Sequence, residues 1–465
     1  MKRIYITLVL SLLALSTTAR TLSREECRKM ALESNYAIKS QRERVSAAQD
    51  MLAAYRTNRL PNLSLSGNYL YSTASYEATI AGGYLPTFIT DATTGQLVPN
   101  IAGVAADGSY IFNEYAYMPD INFEVEANSI YGASAILTQP IYMGGKIESA
   151  ISLANIGVSV AELGGKLSEA EVLLKSDEAF YALLKVESQL LAAERYEAAL
   201  VELERQVKSG VESGMLERND ELKVSVKLAE ARLLSYRARN GVRLARMNLC
   251  YIVGLPMTTV DIELVDGNAA AGELDRSLDV SSRAEYQMLE QQVEAKRLEA
   301  AITKSEGLPS LTAMASYGYY NGAQINSQPL LNSSSFAAVL SLNVPLFHWG
   351  EQRRKSSASR REVEIARNEL ADLSDKMTLE LMQSILSYEE SIIEVQLMEQ
   401  TLAQAEQSMR LSERSYLAGM ESIASCLESK ALWQKSMSEL ISARANLSLA
   451  YTRYEKAAGV LSAEQ

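Results

Sequence analysis

The sequence contains its own copy, and that duplication limits the architectures open to it. The segment Leu137–Gly145 (LTQPIYMGG) returns 205 positions later as Leu342–Gly350 (LNVPLFHWG). Gly214-Met215 returns as Gly419-Met420, and Gly254 as Gly459, at the same offset. Whatever lies between these landmarks has the same length in both halves. An earlier matched pair, Arg59–Tyr71 and Gly307–Tyr319, is 248 positions apart, so the first half carries 43 extra residues. They fall within roughly residues 73–128, rich in Gly, Tyr, Asp, Asn and Pro and without helical periodicity, and read as a long loop.

Proline placement says what fills the repeat. The nine prolines leave residues 141–255 and 346–465 free of them, tracts of 115 and 120 residues rich in good helix formers. Apolar residues at Leu183, Val186, Leu190, Ala193, Tyr196, Leu200, Leu203 and Val207 are spaced three or four apart, close to a supercoil seam. From Lys146 to Lys208 such a helix is about 95 Å long. The pattern breaks at Gly210, Gly214 and Asn219, and a second helix returns to Tyr251. The second half descends from Gly350, turns at Ala418-Gly419 and returns to about Ala458. Each half therefore predicts an antiparallel coiled-coil hairpin.

Ahead of each hairpin the period changes to two. Leu63, Leu65, Gly67, Tyr69 and Tyr71 alternate with Ser64, Ser66, Asn68 and Leu70. The copy sets Leu311, Ala313, Ala315, Tyr317 and Tyr319 on the equivalent face. The second strands place Tyr131, Ala133, Ala135 and Leu137, or Phe336, Ala338, Leu340 and Leu342, on one face. Strands of about ten residues suffice to cross a bilayer when tilted. Four strands cannot close a barrel, and open sheet edges are not tolerated in lipid, so a membrane-spanning form requires several chains.

The amino terminus predicts export. Met1-Lys2-Arg3 precedes the apolar run Ile4–Leu15 and the small residues Ser16–Ala19, the pattern of a secretory signal cleaved near Ala19. No later stretch has eighteen consecutive apolar residues, so a membrane span would have to be a β-barrel. The predicted organisation is a signal peptide (1–19) and a first repeat (20–255: a helix, strands near 61–72 and 129–141, a hairpin over 145–255). A joining segment (256–280) leads to a second repeat (281–465: a helix, strands near 309–320 and 335–347, a hairpin over 350–460).

Composition removes other classes. The net charge of −12, from 45 Lys+Arg against 57 Asp+Glu, argues against a nucleic-acid partner. The lone histidine, His348, leaves no histidine metal cluster or triad, and Cys27, Cys250 and Cys426 are too dispersed for a disulfide or zinc framework. No cofactor site is expected. On the residues alone a passive channel and a structural coiled-coil protein with a small soluble sheet both stay open; an enzyme has nothing to build a site from. A requirement for detergent in extraction separates the first two.

The ordered set Leu60–Ser64 (LPNLS) and Leu308–Leu311 (LPSL), Gln139–Gly145 and Val344–Gly350, and Tyr416–Gly419 resembles the TolC-type outer-membrane efflux protein family, over about residues 23–460. The resemblance implies a homotrimer, with a 12-stranded barrel in the outer membrane of a Gram-negative bacterium continued by a long helical tunnel in the periplasm. It implies the exit duct of a tripartite efflux pump or a type I secretion system. The implied partners are a periplasmic adaptor (membrane fusion) protein, an inner-membrane transporter of RND, ABC or MFS type, and outer-membrane lipid. The tunnel would close at its periplasmic tip. By distance from the turn glycines, Asp220, Tyr416 and Glu428 match constriction residues, whereas Ser425 and Val211 depart from the family's acid and tyrosine. Gly214, Met215, Gly419 and Met420 mark the adaptor-contacting tips, and Tyr142, Phe347 and Trp349 the membrane interface. Three symmetry copies of Asp220 or Glu428 would form a like-charge ring favouring cations. The plainer reading makes each a solvated carboxylate and Tyr416 a packing residue. Arg353, Arg354, Arg360 and Arg361 form a basic cluster, readable as a solvated face or a lipid-headgroup contact.

Overall fold

A computed structural model describes residues 20–73, 75–127, 129–258, 262–265, 274–330 and 332–461. The signal segment 1–19 lies outside the described residues, as does part of the 256–280 join. The chain divides into two compact units. One combines the amino-terminal residues through Tyr55 with Ser149–Thr303 and Arg353–Gln465; the other combines Arg56–Glu148 with Lys304–Gln352.

The first unit is helical. Strand β1 (Arg20–Leu22) leads into α1 (Arg24–Ser34) and α2 (Tyr36–Thr57). Ser23 and Glu26 close a reciprocal capping box at the start of α1, satisfying two free backbone donors. The hairpins follow: α3 (Lys146–Glu212) with α4 (Arg218–Val253), and, after α5 (Ala284–Ser305), α6 (Glu351–Leu417) with α7 (Ile423–Ala457). Helices α3 and α6 each have 67 residues, about 100 Å, and their bounds coincide at the repeat offset. Seam residues Leu183, Ala193, Tyr196, Leu200, Leu203 and Val207 are buried. No helix among the described residues is long and apolar enough to cross a membrane.

A core near the middle of α3 gathers Leu22, Cys27, Phe180, Tyr181, Leu183, Leu249 and Ile262. Ile262 belongs to β12 (Ile262–Leu264), which pairs in parallel with β1. The join between repeats is thus fastened to the amino terminus. Beside this core the Arg28 guanidinium grips the Asp177 carboxylate through two bonds, Nε to Oδ1 at 2.9 Å and Nη2 to Oδ2 at 2.7 Å. The Thr452 hydroxyl donates to Asp177 Oδ2 at 2.9 Å. Three helices, α1, α3 and α7, are pinned at one buried point.

The second unit is built of strands. β2 (Asn62–Tyr71), β11 (Ser129–Tyr142), β13 (Ser310–Asn321) and β16 (Asn332–Asn343) form one antiparallel sheet in the order β16-β13-β11-β2. The register aligns the period-two patterns of all four. Leu63 faces Leu137 and Leu65 faces Ala135; Ala135 faces Tyr317, which faces Phe336. The other face carries Ser64, Ser66, Ser134 and Ser316, with the Ser66 and Ser134 hydroxyls 3.0 Å apart. The apolar face is open in the single chain: Leu65 is 81% exposed and Phe336 70%. None of the residues in these four strands is charged. The outer strands β2 and β16 leave both sheet edges unpaired among the described residues.

Two expectations need correction. The last strand, expected near 335–347, runs Asn332–Asn343 and leaves the ladder at Val344-Pro345, where proline supplies no donor. Its counterpart Pro140 stays within β11 because a register shift between Pro140 and Tyr142 absorbs it. The segment read as a long loop is instead a β-ribbon. β3 (Ser75–Ile80) pairs with β10 (Ile121–Glu126), and β4 (Gly83–Pro86) with β9 (Tyr115–Met118). The ribbon then forks into two hairpins, β5 (Phe88–Thr90) with β6 (Leu97–Pro99), and β7 (Ile101–Val104) with β8 (Tyr110–Phe112). At the fork the Asn100 N–H donates to the Thr87 carbonyl, and the Asn113 N–H to that of Asn100. The Asn113 side-chain amide repeats the link to Asn100 Oδ1 at 2.8 Å. At the ribbon's base β10 also pairs with β14 (Gln324–Ile325), which pairs with β15 (Gln328–Pro329).

Candidate functional site

The two hairpin turns carry most of the sequence-predicted positions, and they share one backbone solution. At the first, the Gly214 N–H donates to the Val211 carbonyl at 3.0 Å and the Met215 N–H to that of Gly210 at 2.8 Å. At the second, Gly419 donates to Tyr416 and Met420 to Ser415, both at 2.9 Å. The turns need a left-handed residue, and Gly214 (φ 72°) and Gly419 (φ 74°) supply it without a Cβ penalty. Each glycine projects the next residue outward: Met215 is 82% exposed and Met420 78%. Both tips thus present a flexible, polarisable apolar side chain.

Behind the turns the hairpins share one core. Leu203, Val207, Val224 and Leu228 of the first pack with Tyr416, Ile423, Cys426 and Leu427 of the second. Tyr416 is only 3% exposed, and its hydroxyl has no hydrogen-bond partner among the described residues. Burial, reinforced by the nearby Asp220 charge, pushes the Tyr416 phenol up to about 12. Burial likewise pushes the Cys426 thiol up to about 11, so it is a packing thiol and not a nucleophile. In the single chain, then, Tyr416 is a core residue of the tip.

Asp220 lies in the first turn of α4 with Glu221, where the positive end of the helix dipole favours a carboxylate. It bonds Lys223 Nζ at 3.3 Å. Glu428 is exposed on α7 and borders a groove between α4 and α7 lined also by Leu222, Lys223, Val226 and Leu427. The structure therefore brings Asp220, Tyr416 and Glu428 to one end of the helical unit, with Asp220 near Tyr416 and bonded to Lys223, which lines the groove that Glu428 borders.

Sequence reasoning missed the polar groups of the second tip. Lys430 is buried and bonds Glu413 Oε1 at 2.6 Å. The Glu421 carboxylate accepts from the Ser412 hydroxyl at 2.7 Å and from the Ser425 hydroxyl, which together hold it below the usual carboxylate range. Ser425, which departs from the family's acid, is here a donor to a carboxylate four residues earlier. The missed signal is a lysine in an apolar stripe of α7 facing a glutamate across the hairpin. Also missed was the complete absence of charge in the four long strands, the composition that a hydrocarbon environment demands.

The expected interface residues sit at the strand ends. Tyr142 closes β11, and Phe347 and Trp349 follow β16, all three exposed. The Phe347 and Trp349 rings meet edge to face with centroids 4.9 Å apart. Trp349 adopts φ 49°, a left-handed conformation strained for a bulky residue. Tyr142 and Trp349 carry amphipathic rings, the kind enriched where proteins cross a membrane–water boundary, whereas Phe347 is wholly apolar.

Residues 280–460 match the model of the outer membrane efflux protein family. Among curated proteins, none matches the sequence. The fold matches the outer membrane protein VceC of Vibrio cholerae over 94% of this chain and 96% of that one, at 13% identity and a TM-score of 0.69. It also matches the outer membrane channel CmeC of Campylobacter jejuni (94% and 85% covered, 13% identity, TM-score 0.69). The MtrE outer membrane channel of Neisseria gonorrhoeae is similar too (94% and 88% covered, 12% identity, TM-score 0.68). The outer membrane efflux protein model thus matches residues 280–460, and nearly the whole length of the chain shares the fold of these outer membrane proteins.

Proposed function

We propose that the protein is the passive outer-membrane exit duct of a tripartite efflux pump or a type I secretion system. The observation that carries this is an uncharged four-stranded sheet, apolar on one face and open at both edges, in a chain with two hairpins each built on a ~100 Å helix. The alternation of strand direction leaves β2 and β16 antiparallel to each other. Setting β16 of one copy beside β2 of the next therefore continues the ladder, a head-to-tail contact that generates a ring. Three copies supply twelve strands, enough to close and to leave no edge in lipid. The serine-bearing face then lines the lumen and the leucine–tyrosine face meets lipid.

In this reading the tips point into the periplasm. Gly214-Met215 and Gly419-Met420 meet the adaptor, which couples the duct to an inner-membrane transporter of RND, ABC or MFS type. Asp220 and Glu428 narrow and charge the entrance, and Tyr416 acts through hairpin packing. Mass determination with electron microscopy of detergent-extracted protein tests the duct: a trimeric tapered cylinder is expected, and a monomer released without detergent would refute it. Gene deletion then separates the two settings, through drug sensitivity on one side and the secreted-protein profile on the other. In planar bilayers Asp220→Asn lowers cation preference if its three copies ring the entrance.

A further inference from the structure

The first turns of α6 are charged in a way that opposes the helix itself. Arg353, Arg354, Lys355, Arg360 and Arg361 fall within nine residues that contain no acid, starting two residues after Glu351. Cations here face the positive end of the helix dipole and one another, both unfavourable. Arg353 and Arg360 are seven residues apart, as are Arg354 and Arg361, so two rows run about 10 Å along one side of the helix. All four arginines are exposed, and among the described residues no ion pair is formed by any of them. Farther along the same helix, Arg367 pairs with Glu364 and Arg410 with Glu406.

The repeat supplies an internal control. The matching positions at the start of α3 are Glu148, Ser149, Asn155 and Ile156. A helix of the same length and register forms there without the basic rows, so the hairpin does not require them. Chain connectivity bounds their distance from the end of the last long strand: Arg353 is ten residues beyond Asn343, the end of β16, a reach of at most about 36 Å. It is also four residues beyond the exposed Trp349.

We infer that the Arg353/Arg354/Arg360/Arg361 face binds the phosphates of anionic phospholipids in the periplasmic leaflet of the membrane that the strands span. This rests on the duct reading above. The chemistry favours it, because guanidinium groups grip phosphate oxygens in pairs and an unpaired cationic row gains most from an anionic surface. The helix N-terminus then adds to the attraction for phosphate instead of opposing bare arginines.

The test uses the intact trimer in nanodiscs of phosphatidylcholine with or without phosphatidylglycerol, with retained lipid counted by native mass spectrometry. Neutralising all four arginines to glutamine should lower phosphatidylglycerol retention at least tenfold, leaving phosphatidylcholine unchanged, given about fivefold per cation. The all-lysine variant should retain an intermediate amount. Millimolar inorganic phosphate should not displace the lipid, whereas high salt should weaken its retention. Unchanged phosphatidylglycerol retention in the glutamine variant overturns the proposal. So does a variant that alters single-channel ion selectivity without altering lipid retention, since the arginines would then face the lumen. Either result in a conducting trimer leaves the duct reading intact, whereas loss of membrane association by the unmodified protein would sink the duct itself.

Discussion

The two helical hairpins have one geometry and two chemistries. Helices α3 and α6 match residue for residue at the repeat offset, yet α3 buries sixteen residues in the single chain and α6 nine. The surplus lies at mid-helix, where Leu22, Cys27 and Ile262 cover α3. Asp177 and Tyr181 of α3 are buried, while Met382 and Leu386, their counterparts in α6, are exposed. The amino-terminal helix packs on the mid-helix core of α3 and meets the second repeat at α7, through Arg28 and Glu455. The tips also diverge at matched positions: Leu216 folds against Gly210 in the first, whereas its counterpart Glu421 accepts from Ser412 and Ser425 in the second, where Lys430 is buried against Glu413. Duplication has conserved what the backbone requires, length and turn glycines, and has released the side chains.

The comparison can be broken most severely at mid-helix. Asp177→Ala leaves Arg28 buried without its main partner and should cost about 3–5 kcal/mol, seen as a large fall in unfolding temperature. Met382→Ala, the equivalent change in α6, should cost under about 1 kcal/mol because the side chain is exposed. Equal losses at both sites would show that the halves are equivalent after all. At the tips, Lys430→Ala should cost about 2–3 kcal/mol, less than the buried pair because Glu413 reaches water. Its counterpart Ser225 should tolerate alanine.

The shared part of the comparison predicts shared costs. Gly214→Ala and Gly419→Ala force a Cβ into a left-handed turn and should each lose about 1–2 kcal/mol. A difference between them would mean that the polar network, and not the backbone, governs the second tip. The smallest effect is expected at Tyr416→Phe, near neutral at pH 7, since the deleted hydroxyl has no partner. Its signature is in the pH profile. The buried phenol ionises near 12 and an unfolded one near 10. Its stabilising contribution is therefore complete below pH 10 and lost as pH rises toward 12. The phenylalanine variant should lose less stability across that window in paired thermal melts.

Much of this architecture is legible in the residues. Proline-free tracts between matched glycines announce the long hairpins, and period-two runs ahead of them announce the strands. The fork at residues 73–128 escapes because its strands have three to six residues and mostly exposed side chains, so turn residues dominate the composition. Tyr416 shows the limit at the site. Its distance from Gly419 marks it as special but does not say whether the ring faces a pore or a neighbouring hairpin. Packing against Leu203, Val207 and Val224, more than 190 positions away, decides that for the single chain.

Helix length, turn position, strand period and the duplication are properties of neighbours along the chain, and the order of residues alone determines them. The order β16-β13-β11-β2, which puts four apolar faces on one side and leaves two open edges, is a matter of tertiary structure. So are the Arg28–Asp177 pair, formed across 149 positions, and the parallel join of β1 to β12. Local spacing cannot encode them, because each exists only once distant segments compete for the same partners and the buried charges must be matched.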